Sequence, residues 1–140
     1  LRPASVLIVN VAASNGPEGA LTFPKDYNSN VMYMFEQLQM YMLVAHNAPH
    51  NKPGPFIRRY PQPGNSPIAA SSQQSIHADQ YHRVEVGLEG DQIWYKIDGK
   101  TIVTAHDPQP LGPGKVMLRI RGTGHETASV LLRNVRIYSK

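Results

Sequence analysis

Through much of the second half of the chain, apolar and polar residues alternate with a period of two. In YHRVEVGLEGDQIWYKIDGKTIVTA, Val84, Val86 and Leu88 stand against Arg83, Glu85 and Gly87. That is the period of a strand with one dry face. Glu89-Gly90-Asp91 and Asp98-Gly99 interrupt the alternation. Asp-Gly between two such runs is a hairpin signal, because both central residues of a tight two-residue turn take positive φ. The stretch therefore predicts a meander of three antiparallel strands. Within it Trp94 and its neighbours Ile93 and Tyr95 point to opposite faces, and the indole, as the larger apolar body, is expected in the core.

DPQPLGPG follows, too rich in proline to donate to a ladder. KVMLRIRG and TASVLLRNVRIYS then each alternate again, with arginines against valine and isoleucine, and predict two more strands with one wet face. In the first half, SVLIVNVAA reads as a buried strand, SNGPEGALTFPKDYNSN as a long loop and PFIRRYP as a short strand between prolines. Met34 to Asn47, MFEQLQMYMLVAHN, reads as a long strand. Sorted by parity, Met34, Leu38, Met40, Met42 and Val44 form an apolar set with Glu36 as its misfit. Tyr33, Phe35, Gln37, Gln39 and Tyr41 form the other set. The expectation is that the methionines face the core, and that the amide and aromatic ladder faces a ligand.

No helical period of useful length and no repeat stands out. About eight strands with long loops make residues 1–140 an all-β, two-sheet antiparallel β-sandwich of the jelly-roll kind. Abundant glycine and proline with only 17% charged residues agree with that class. The chain opens directly on a strand-like run, so it is expected to be the C-terminal part of a longer protein.

Charge changes the picture little. The net +4 is spread along the chain, apart from Arg58-Arg59 and the set Arg119, Arg121, Arg133 and Arg136. An anionic partner is in keeping with this, but no nucleic-acid partner is expected without a basic tail. No run spans a bilayer, and no membrane partner is expected. Cysteine is absent, which removes thiol chemistry. Among the six histidines, His46 and His50 are separated by Pro49, which breaks a helical metal clamp; no metal site and no cofactor are expected. Asp98-Gly99 and Asp26-Tyr27-Asn28 carry oxygens of the kind calcium takes, though turn chemistry accounts for both.

Carboxylate-pair hydrolysis of a glycan needs two acids close together on one face. The only pair two positions apart near a strand, Glu89 and Asp91, sits at a turn. Elimination from a uronic-acid polymer asks instead for a cation on the carboxylate and a base near the acidic proton. His46, Tyr41 and Tyr60 are the candidate acid–base residues. Tyr33, Phe35, Gln37, Gln39, Arg58 and Arg59 are the candidate binding residues, arginine being suited to a carboxylate by its bidentate fork. A non-catalytic carbohydrate-binding module, or an assembly subunit using the same face against copies of itself as a homo-oligomer, are the alternatives.

The stretch from YHRVEVGLEGDQIWYKIDGKTIVTAHDPQPLGPGKVMLRIRGT, closing with LLRNVRIYS, resembles the C-terminal part of concanavalin A-like jelly rolls. There an aromatic-His start, a DG hairpin, a PLGPG link and a terminal RNV-I strand recur together. With VLIVNVAA, LQMYMLVAHN and FIRRYPQPG added, the chain is similar to the YesU-like proteins, whose bacterial members occur among genes for rhamnogalacturonan use. Members of that family carry further strands ahead of VLIVNVAA, and a longer acidic, glycine-rich loop where this chain has SNGPEGALTFPKDYNSN. The resemblance implies the jelly-roll fold and a polysaccharide or oligosaccharide as partner, encountered outside the cell, and transfers no catalytic residue.

Overall fold

The computed structural model describes residues 6–45, 54–62, 66–73, 76–77, 79–122 and 127–138. Eight strands and one α-helix are formed among them. β1 is Val6–Ser14, β2 Gln39–Ala45, β3 Phe56–Tyr60, β4 Ala69–Ala70, β5 Val84–Glu89, β6 Gln92–Ile97, β7 Lys100–His106 and β8 Lys115–Arg121; α1 is Val31–Gln37. The strands make a five-stranded sheet in the order β4-β3-β2-β1-β8 and a three-stranded sheet β5-β6-β7. All pairs are antiparallel. The architecture is the two-sheet β-sandwich expected from the alternation.

The meander forms as read. Asp98 and Gly99 both take positive φ, at 51° and 79°, and turn β6 into β7. Val84, Val86 and Leu88 point inward. β6 buries Ile93, Tyr95 and Ile97 and turns Trp94 outward. The expectation of a core tryptophan is therefore corrected. Two buried side chains outweigh one, and Trp94 instead covers Gly87 opposite it, where any Cβ would lie 2.0 Å from the indole.

Between the sheets Leu7, Val9, Val11, Tyr41, Leu43, Ala45 and Ile57 meet Ile93, Tyr95, Ile97 and Val103. Each fully buried aliphatic side chain there contributes about 2 kcal/mol. Tyr95 is fully buried, its hydroxyl has no hydrogen-bond partner among the described residues, and burial pushes its pKa up. An unpaired buried hydroxyl carries a desolvation cost that phenylalanine lacks. Tyr95→Phe is accordingly expected to raise stability by about 1 kcal/mol, read from urea melts; a loss would mean the hydroxyl is paired in solution.

β1 is buried along its whole length, with β2 and β8 on its two sides. Its register slips against both neighbours around Ala12, which has φ 54°. A bulge at a non-glycine residue needs support. Gly114 at the end of the proline-glycine link supplies it by packing so close that a Cβ there would sit 2.3 Å from the Ala12 carbonyl carbon.

Two expectations fail. Residues 31–37 form a helix, not the first half of a strand. Asn30 caps it, its side chain accepting from the Met32 amide at 3.0 Å. Val31, Met34, Phe35 and Leu38 then recur at helical spacing, and this stripe lies along the outer face of the five-stranded sheet. Glu36 points to solvent and is no misfit. Residues 127–138 alternate as a strand should, yet pair with no strand among the described residues.

Candidate functional site

From Gln39 onward the parity of β2 is as read, but the faces are exchanged. Tyr41, Leu43 and Ala45 point into the dry space between the sheets, because the three-stranded sheet covers that side. Met40, Met42 and Val44 point to the outer face, where α1 and neighbouring side chains bury them in a second apolar cluster. The registers of β1, β2, β3 and β8 place two rows across this face. One runs Arg58–Met42–Asn10–Met117, the other Phe56–Val44–Ile8–Arg119. Arg121 stands beside the second row, opposite Val6.

Between α1 and these rows lies a cavity of about 280 Å³. Val6, Ile8, Met42 and Val44 floor it, Val31, Phe35 and Phe56 wall it, and Arg58, Arg119 and Arg121 supply its charge. Arg58 comes from β3 and the other two from β8. Three strand spacings separate those strands, about 14 Å at the backbone, so the guanidiniums approach an apolar floor from opposite sides. The Arg58 guanidinium lies 4.5 Å above the Phe56 ring, and its buried Nε has no hydrogen-bond partner among the described residues. Burial lowers the Arg119 pKa and the neighbouring Arg121 adds to this, Tyr27 acting the other way. Among the described residues no carboxylate forms an ion pair with any of the three. Both polar side-chain atoms of Asn10, buried on the same face, also have no partner among the described residues.

The sequence-predicted residues divide between locations. Arg58 and Phe35 line the cavity. Tyr60 is buried beneath Phe35, the rings stacked at 4.5 Å and 3°. Tyr33 joins Phe23 and Tyr27 in a cluster of rings 4.7 to 6.1 Å apart. Gln37 is exposed at the end of α1, and Gln39 donates to Ser14 Oγ at 2.6 Å. His46 lies outside the described residues. Gln39 and Tyr41 are therefore separated from Tyr33, Phe35 and Gln37, because the first two lie on β2 and the other three on the helix.

Tyr41 and Arg59 belong to a separate network at the edge of the inter-sheet core. The Tyr41 hydroxyl donates to Asp107 Oδ2 at 2.6 Å and accepts from the Leu111 amide at 3.0 Å. Arg59 Nε donates to the same carboxylate oxygen at 2.7 Å, and the Gln109 amide to Oδ1 at 3.0 Å. Burial and the Asp107 hydrogen bond raise the Tyr41 pKa. Adjacent arginines thus have opposite fates. Arg59 is paired with Asp107, and Arg58 projects from the other face with no ion-pair partner among the described residues.

Arg119 and Arg121 were singled out by charge but not as site residues. Their signal was present in KVMLRIR, whose odd positions Met117, Arg119 and Arg121 share one face; what the pattern lacked was the identity of the neighbouring strand. Among the described residues no group of three or more His, Asp or Glu gathers as metal ligands do, and no helix is long and apolar enough to cross a membrane. Comparison of the chain with known protein families, with curated proteins and with solved structures returns no match.

Proposed function

We propose that this β-sandwich binds an acidic saccharide in the cavity between α1 and the five-stranded sheet. The observation that carries the reading is the convergence of Arg58, Arg119 and Arg121 on an apolar floor without a carboxylate partner among the described residues. Uncompensated guanidiniums beside a low-dielectric wall favour an anion, and their forked donors match a carboxylate or sulfate. Phe35 and Phe56 offer ring faces to the apolar side of a sugar. Such a set is that of a small, mostly apolar ligand site with a few polar anchors. The likeness to the concanavalin A-like and YesU-like jelly rolls adds a polysaccharide context, with an extracellular place of action.

Binding is favoured over cleavage by the state of two of the three candidate acid–base groups, the third, His46, lying outside the described residues. Tyr41 is buried with its hydroxyl engaged by Asp107 and the Leu111 amide, and Tyr60 is buried under Phe35. For a lyase-type step, a base has to come from elsewhere. Titration calorimetry with pectic, alginate and glucuronan oligosaccharides tests the reading, with ultraviolet absorbance followed for unsaturated product. The expected result is saturable binding of uronates, weakened by salt, with none of neutral oligosaccharides and no unsaturated product. Equal binding of neutral and acidic oligomers, or of neither, overturns it; unsaturated product would make the protein a lyase at this same site.

A further inference from the structure

One end of the sandwich holds apolar surface that neither the core nor the cavity uses. Val116, Leu118 and Ile120 of β8 are 41%, 45% and 38% exposed, although Leu118 and Ile120 pair with the buried Val9 and Leu7 on the same inner face. The difference is cover. β5 lies against β1, and β7 against β3 and β4, so the three-stranded sheet stops one strand short of β8. β5 is the edge strand on that side. A shelf and a free strand edge meet here, which is the geometry that accepts an added strand.

Residues 127–138 carry the complementary pattern. Leu131, Leu132, Val135 and Ile137 are 48% to 77% exposed. Asn134 has φ 55°, in the left-handed region that opens a β-bulge and shifts parity by one. Counted through that shift, Val130, Leu132, Val135 and Ile137 fall on one face, and Arg133 and Arg136 on the other. The Arg133 guanidinium already lies 3.8 Å over the ring of Tyr81, three residues before β5. β5 turns Glu85 outward, where Lys96 holds it at 2.8 Å, so an arginine docked beside it would extend an existing charged cluster.

We infer that the strip beside β5 and over β8 is a docking surface for one strand, and that its occupant is the chain's own residues 127–138. Docking covers Leu118 and Ile120 with Leu132, Val135 and Ile137, and removes an edge open to unwanted pairing. Only five residues of sequence separate the end of β8 at Arg121 from residue 127, so bringing the two together within one molecule costs little chain entropy.

The chain has no cysteine, which makes thiol labelling a direct test. Single variants Leu132→Cys, Val135→Cys, Ile137→Cys, Arg133→Cys, Arg136→Cys and, on the shelf, Leu118→Cys are labelled with a maleimide, each checked for the wild-type Trp94 emission. All six positions are exposed or half-buried, so folding is not at stake. The apolar four are expected to react about tenfold more slowly than the two arginine positions, at rates unchanged on dilution. Equal rates throughout overturn the inference. Protection that vanishes on dilution, with dimers seen by light scattering, overturns the choice of occupant and gives the shelf to a second copy.

Discussion

Asp107→Ala is expected to destabilise the protein by about 2 kcal/mol, the scale for removing an acceptor shared by a buried hydroxyl and a partly exposed guanidinium. The carboxylate is 8% exposed and takes hydrogen bonds from the Tyr41 hydroxyl, Arg59 Nε and the Gln109 amide. Its loss takes the acceptor from the buried Tyr41 hydroxyl and leaves the Arg59 guanidinium only the Pro61 and Gln109 carbonyls, at 3.4 and 3.3 Å. Urea melts at neutral pH read the effect, and a loss below about 1 kcal/mol would show the network to be incidental. The acid limb gives an independent check. Burial alone would raise the Asp107 pKa, but the bonds from Tyr41 and the Gln109 amide and the charge of Arg59 outweigh it and hold the carboxyl below its usual value. A depressed folded-state pKa means stability that is present above the unfolded value, about 3.9, and is lost as pH falls through the folded one. Wild type should therefore weaken between about pH 4 and more acidic values. Asp107→Asn, which keeps the shape without the charge, should show a shallower decline; an identical slope would assign the acid loss to Asp98 and Glu85, whose pKa values are also lowered.

The parts of this fold legible in the sequence are those fixed by neighbours in the chain. Asp98-Gly99 specifies its turn through its own backbone, and the strands on either side then have no choice of register. β1, β3 and β8 were legible from alternation or from apolar runs between breakers. The helix at 31–37 was legible too, and was misread. Asn30 before Val31, with Met34, Phe35 and Leu38 following, is a capped helical stripe. The same residues also alternate tolerably as a strand, and the apolar run continues into β2 without a break.

Which face of β2 is dry depends on something parity cannot carry, namely where the second sheet lies. Methionine and valine on one side, tyrosine and leucine on the other, are both acceptable to a core, provided the tyrosine hydroxyl finds a partner. Asp107, 66 positions away, provides it. That contact buries Tyr41 and leaves Met42 and Val44 to floor the cavity. The same logic separates the RR pair, since successive residues of β3 must point to opposite sides. Sequence reasoning named both arginines for a carboxylate; the topology leaves that role to one. Residues 127–138 show the converse limit, because alternation records the capacity to pair and cannot supply an edge to pair with.

That separation yields the sharpest functional expectation. Arg58→Gln and Arg119→Gln should each weaken uronate binding about tenfold, as loss of a charge-assisted hydrogen bond does. Their guanidiniums approach the floor from different strands, on opposite sides of it. A shared ligand with one carboxylate would couple them, whereas an oligomer presenting two would let the losses add to about a hundredfold. Calorimetry on the single and double variants, with mono- and oligouronates, distinguishes these. Arg59→Gln is the contrast. Its guanidinium is paired with Asp107 on the other face, so it should lower stability and leave affinity unchanged. If Arg59→Gln abolished binding while Arg58→Gln did not, the ligand would lie at the Asp107 network, and the cavity under α1 would be no more than a gap in the packing.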